Sequence, residues 1–383
     1  MSTTLPPALS SGELGAAAAL FSPFDLAGLS LANRAVVSPM TRVSATDEGH
    51  ATAQMRDYYS AFALGGFGLV ITEGIYTDRV YSQGYFNQPG LADDHQTEAW
   101  RAVVDGVHAS GGKIIAQLMH AGALSQGNPH HALSVGPSAV TPKGAQLTLY
   151  RGEGPYQTPF AMTQADINAA VRGFAKAAEH AQAAGFDGVE VHGANGYLLD
   201  QFLTEGVNIR TDSYGGPIAA RAKLLLQVLD AVRSSVSRGF VVGVRISQGK
   251  VNDFEYRWAG REEDAEALFS MLSPHADYIH TTEYEAWRPA CSPEGHSLAA
   301  LAKTHSGLPV IANGGLHDPA RASELLAGGA DLVSIGRGAL ASADWPGRVS
   351  AGRALPEFDK NMLLPIADLS NADRWRAASI EQR

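Results

Sequence analysis

Eight short β-branched or apolar runs recur along this chain, and most are followed by a turn and a longer stretch with helical spacing. The runs lie at 35–38, 68–72, 113–118, 188–192, 241–246, 278–281, 309–312 and 332–335. Helical patterns occupy 54–64, 95–109, 164–184, 219–235, 262–272, 298–304 and 319–326. Strand then helix, repeated without a run of hairpins, implies a parallel sheet covered by helices. Eight such units favour closure into a single (β/α)8 TIM barrel over an open doubly wound sheet, because closure removes the edges. The open alternative also lacks an early G-x-G-x-x-G.

The longest interval separates the third strand from the fourth. Residues 127–163 are rich in Gly, Pro and Ser and carry an alternating piece at 146–150, which predicts a hairpin excursion over the barrel mouth. The expected division is a flexible leader at 1–20, one barrel domain at 21–365 and a C-terminal tail at 366–383. With 45% hydrophobic residues and 41 glycines in 383 positions, the chain can bury a large core and make many turns.

Charge narrows the partners. A net charge of −10 without any Lys/Arg cluster disfavours nucleic acid and an anionic membrane surface. The first positive charge is Arg34, so the leader lacks the basic residues of a secretory or organelle signal, and a cytoplasmic location is expected. No window approaches ~18 uninterrupted apolar residues, so no membrane span is expected. Cys291 is the only cysteine, which excludes an intrachain disulfide and any cluster needing about four thiolates.

Barrel chemistry sits at the C-terminal ends of the strands. The turns after strands seven and eight, Asn313-Gly314-Gly315 and Gly336-Arg337, suit a phosphate, since glycines admit close approach to backbone amides and Arg337 supplies a fork of donors. His192 and Asn195 stand three residues apart just beyond the expected end of strand four and could donate two N–H groups to one oxygen. Tyr197 follows with a phenol able to give a proton. Singly, His192 reads as a core histidine and Tyr197 as a packing aromatic; together at a barrel mouth they read as a site. The cluster has no ligand spacing for a metal. Arg245 is either a structural ion pair or a cofactor anchor. Gln117 is either a heterocycle contact or an ordinary buried amide.

These residues resemble the Old Yellow Enzyme family of flavin-dependent ene-reductases. The strongest segment is V-H-G-A-N-G-Y-L-L-D-Q-F-L at 191–203, supported by Asn33-Arg34, Pro39-Met40-Thr41-Arg42, Gln117-Leu118, R-T-D-S-Y-G-G at 210–216 and Val244-Arg245-Ile246-Ser247. The resemblance implies FMN at the barrel mouth, with Pro39, Met40, Thr41, Gly74, Gln117 and Arg245 around the ring system. It puts Asn313, Gly314, Gly315, Gly336 and Arg337 at the phosphate end. It also implies NADPH or NADH as hydride donor, His192 and Asn195 on the oxygen of a small activated alkene, and Tyr197 protonating the α-carbon. A monomer or homodimer is expected. The family's Trp after Q-L is Met119 here, expected at the substrate wall; Ala123, residues 219–220 and residues 362–364 also depart from its pattern.

Two other activities compete. A nitro-ester or nitroarene reductase would place nitro oxygens in the same pocket. A non-redox phosphate-binding lyase would want a Schiff-base lysine near a strand end, but Lys113 begins a strand and Lys250 falls in a loop with no identifiable partner.

Overall fold

In the computed structural model, which describes residues 17–381, eight parallel strands close on themselves. We number them β1 (Ala35–Val37), β2 (Leu69–Ile71), β3 (Ile114–Met119), β4 (Gly188–Asn195), β5 (Val241–Lys250), β6 (Tyr278–Thr282), β7 (Val310–Asn313) and β8 (Leu332–Ile335). Each pairs with its sequence neighbours, β8 pairs with β1, and a β2–β3 contact completes the ring. The eight runs anticipated from the sequence are these strands.

Seven helices alternate with them: α1 (Ala53–Leu64), α2 (Asp94–Ala109), α3 (Gln164–Ala184), α4 (Lys223–Ser235), α5 (Glu262–Leu272), α6 (Leu298–Ser306) and α7 (Pro319–Ala327). Their starts are written in the sequence as caps. Thr52, Asp93, Thr163, Ser297 and Asp318 each accept a backbone N–H of the first turn, and Asp166 completes a capping box with Thr163. The helix expected at 219–235 is interrupted at Ala222, after a short turn of helix at Ile218–Arg221.

The bottom of the barrel is closed by a hairpin that periodicity did not reveal. Phe24–Leu26 pairs with Leu29–Leu31, turning through Ala27 and Gly28 at positive φ. Leu26 and Leu31 pack onto Val36, Leu69, Ile115, Val241 and Leu332, so that end is an apolar plug and the chemistry is left to the other. Residues 1–16 of the expected leader lie outside the described residues; Ala17–Phe21 forms a 3-10 turn with Leu20 buried.

The excursion after β3 doubles back, but its antiparallel contact is one bridge, Ala145 with Pro155, and not a ladder. Gln146–Tyr150, read as an alternating strand, contains a 3-10 turn at Thr148–Tyr150, and the remaining pairing is a two-residue parallel contact between Val135–Gly136 and Phe160–Ala161. Gln126 explains the turn: its side chain bonds the backbone at Leu147 and Tyr150 and removes those groups from any ladder. In the tail, a helix at Leu369–Glu381 packs beside α1, where Gln54 donates to Asp373.

Candidate active site at the barrel mouth

A cavity of about 580 Å³ opens where the strands end, and every expected site residue borders it. Pro39, Met40 and Thr41 enter from the turn after β1, Gly74 follows β2, and Gln117 and Met119 come from β3. His192 and Asn195 come from β4, Tyr197 from the turn after it, and Arg245 from β5. Asn313, Gly314, Gly315, Gly336 and Arg337 close the ring.

His192 and Asn195 do not lie beyond β4, as expected, but within it. The strand runs on to Asn195, and His192 stands beside Arg245 in register. Inward projection therefore comes from strand alternation, with Glu190 and His192 on one face. Asn195 has a φ of 62°, so the chain breaks pleat there. Ser247 accepts its backbone N–H at 2.8 Å, and its carbonyl accepts from Val251 at 3.1 Å. Burial and the Arg245 charge push the His192 imidazole down to about 3, so the ring is neutral at working pH.

Tyr197 is buried, its hydroxyl 2.5 Å from that of Tyr85 and its ring centroid 5.1 Å from that of His192. Burial raises its phenol above the usual range, so the proton is present throughout the physiological window. Neither Tyr85 nor Tyr150, which also borders the cavity, was anticipated, because both come from long loops with no spacing relation to β4.

Lys250 does have a partner. At the end of β5 its ammonium meets Asp200 at 2.6 Å, with both side chains buried. The other Asp200 oxygen accepts the Gly196 N–H at 2.7 Å, so the pair braces the Asn195–Tyr197 turn from behind.

The donor set fits a flavin mononucleotide. Arg245 Nε and His192 Nδ1 are buried with no hydrogen-bond partner, and buried polar groups ask for one. Bare backbone borders the cavity where a side chain would not fit: a Cβ on Gly314, whose φ is 138°, would come within 2.1 Å of the Glu283 carbonyl. Arg337 lies at the same end, its guanidinium over the Tyr284 ring at 5.7 Å.

The profile of the NADH:flavin oxidoreductase / NADH oxidase family matches residues 19–356. The chain belongs to this family, the Old Yellow Enzyme family. A probable flavin mononucleotide-dependent alkene reductase of Leishmania infantum is 34% identical over 354 residues, 89% of this chain and 92% of its own. The structure of an Old Yellow Enzyme homologue from Zymomonas mobilis superposes with a TM-score of 0.82 at 30% identity, covering 91% of this chain and 97% of that one. Morphinone reductase in complex with tetrahydroNAD gives 0.81 at 34% identity, over 92% and 96%. This Old Yellow Enzyme relative is therefore an FMN-dependent, NAD(P)H-driven oxidoreductase of the ene-reductase type. Among its described residues no helix is long and apolar enough to cross a membrane.

Proposed function

We propose that the chain reduces the C=C bond of small α,β-unsaturated carbonyl compounds, with His192 and Asn195 holding the carbonyl oxygen and Tyr197 protonating the α-carbon. One observation carries the reading: two neutral N–H donors and a buried, protonated phenol, from one six-residue stretch, border the same cavity. Bound FMN supplies the two-electron relay between NAD(P)H and the alkene.

Each residue has a defined task. Thr41, Gly74 and Gln117 line the side of the cavity for the ring system, and Arg337 with Gly314, Gly315 and Gly336 lines the side for the phosphate. His192 and Asn195 polarise the substrate carbonyl, which draws electron density from the β-carbon. Neutral donors suit that task, since they stabilise charge as it develops without drawing in a counter-anion. Tyr197 then delivers its proton to the α-carbon. Met119, buried against Gly74, sets the width of the wall. Dependence on NAD(P)H fits a cytoplasmic site of action.

Anaerobic mixing of the photoreduced protein with 2-cyclohexenone tests this. The expected result is stoichiometric return of the oxidised flavin spectrum with formation of cyclohexanone. A protein reoxidised by nitro compounds but not by the enone would favour the nitroreductase reading instead.

A further inference from the structure

Directly below the cavity floor lies a charged group that the reaction does not use. Glu190 is fully buried, and its carboxylate accepts hydrogen bonds from Gln117 Nε2 at 2.8 Å, from the Tyr278 hydroxyl at 3.0 Å and from His280 Nδ1 at 2.8 Å. The Tyr278 ring fills the space left by Gly243, where a Cβ would come within 2.1 Å of it. Burial favours the neutral acid, but His280, Arg245 and Gln117 outweigh it and hold the carboxyl below the usual carboxylate range.

The contacts continue across the barrel with one polarity. Arg245 donates to Asn313 Oδ1 at 2.8 Å, Asn313 Nδ2 donates to Ser38 Oγ at 2.9 Å, and Ser38 Oγ donates to Ser334 Oγ at 3.1 Å. Ser334 Oγ lies 2.8 Å from His280 Nε2. With its hydroxyl proton on that nitrogen, Nδ1–H is left to face Glu190. One chain of hydrogen bonds thus joins Arg245 to Gln117, and Glu190 is the acceptor on which it ends.

An ionised carboxylate only accepts, so Gln117 must turn its NH2 group down to Glu190 and can offer its carbonyl oxygen to the cavity. A carbonyl there matches the single N–H of a flavin pyrimidine ring. Arg245 is the nearby countercharge, two residues further along its strand than Gly243, the register partner of Glu190, and itself in register with His192 and His280.

We propose that Glu190 is a positioning residue for FMN: it fixes the Gln117 carbonyl toward the flavin imide, and its negative charge offsets Arg245 and lowers the reduction potential of the bound cofactor. The inference rests on the placement of Gln117 and Arg245 against the flavin given above. Two-electron reduction adds negative charge to the ring system, and a fixed anion beneath it opposes that charge in a low-dielectric interior.

Equilibration of the FMN-loaded protein with a redox dye, with the FMN dissociation constant measured on the same samples, tests it. Glu190→Gln should raise the reduced-to-oxidised ratio at fixed dye poise about tenfold, which is about 30 mV for a two-electron couple. FMN affinity should fall several-fold, because the Gln117 amide becomes free to flip. Tyr278→Phe, which strips one donor from the carboxylate and leaves its charge, should shift the ratio the other way. Opposite signs exclude simple loosening of the barrel, which would move both variants together. In a Gln117→Met background the affinity effect of Glu190→Gln should vanish while the potential shift stays. Unchanged potentials, or shifts of one sign in both variants, would overturn the role of Glu190. If Glu190→Gln does not fold, the sign of the Tyr278→Phe shift decides. If Gln117→Met leaves FMN affinity untouched, the placement of the flavin is wrong, which is a separate failure.

Discussion

The hydroxyl oxygens of Tyr85 and Tyr197 lie 2.5 Å apart between two buried rings that come from segments distant in the sequence. Burial raises both phenols, so both carry protons. For Tyr197 to aim its own proton at a substrate, Tyr85 must donate to the Tyr197 oxygen. That donated bond also stabilises the phenolate left behind. Tyr85→Phe should therefore slow reoxidation by an enone about tenfold, the worth of one hydrogen bond to a charged group, and leave reduction by NAD(P)H unchanged. Stopped-flow spectroscopy of the two half-reactions checks it; equal slowing of both would mean that Tyr85 only packs.

The neutral state of His192 has a pH signature. An ordinary imidazole would titrate near 6.5, but burial and Arg245 hold this one at about 3. Binding of an unreactive cyclic ketone should be flat between pH 5 and 9, and a transition near pH 6.5 would contradict the assignment. Asn195→Ala should cost on the order of 10²-fold in enone turnover with FMN retained.

Lys250 and Asp200 form a buried pair whose value lies in what it holds. Lys250→Met leaves Asp200 as an uncompensated buried carboxylate, which costs about 3–5 kcal/mol and loosens the Gly196 N–H contact. Adding Asp200→Asn removes the charge while keeping an acceptor for that N–H. Chemical denaturation should show the double variant recovering most of the loss. A double variant as unstable as the single one would show that the ammonium acts through packing alone.

Glu73 makes stability depend on pH. Its carboxyl, buried against Tyr59 and the backbone N–H groups of Arg42 and Val43, is pushed up to about 7, chiefly by burial. With the folded value above the unfolded one near 4.5, its contribution is complete below about pH 4.5 and is lost as pH rises toward 7. The loss amounts to roughly 3 kcal/mol. Denaturant midpoints from pH 5 to 8 should fall more in the parent than in Glu73→Gln, and parallel profiles would sink this account.

The strands were legible because parallel barrel strands are buried on both faces and read as apolar runs, and the helices because their caps and spacing are local. The Phe24–Leu31 hairpin escaped because three-residue strands carry no measurable period. Strand β4 runs past His192 because Gly193, which reads as a turn residue, stays paired with Ile246, and β5 runs past Ile246 through an irregularity in register before Lys250 pairs with Asn195, which no local pattern signals. Glu190 sits two residues before His192, on the same face by strand alternation, but it lies one layer below the strand ends, where a sequence carries no sign of chemistry. Tyr85 and the Lys250–Asp200 pair depend on contacts between distant segments, for which a single sequence offers no spacing.

The division of labour proposed for Tyr197 is tested most directly by comparing both half-reactions in the parent and in Tyr197→Phe under anaerobic stopped-flow conditions. Loss of the acid should slow reoxidation by 2-cyclohexenone by about 10²-fold or more, leave reduction by NAD(P)H almost unchanged, and spare nitro compounds that accept hydride without needing that proton. Undiminished reoxidation by the enone, or equal slowing of both half-reactions, would contradict the assignment of Tyr197 as the proton donor.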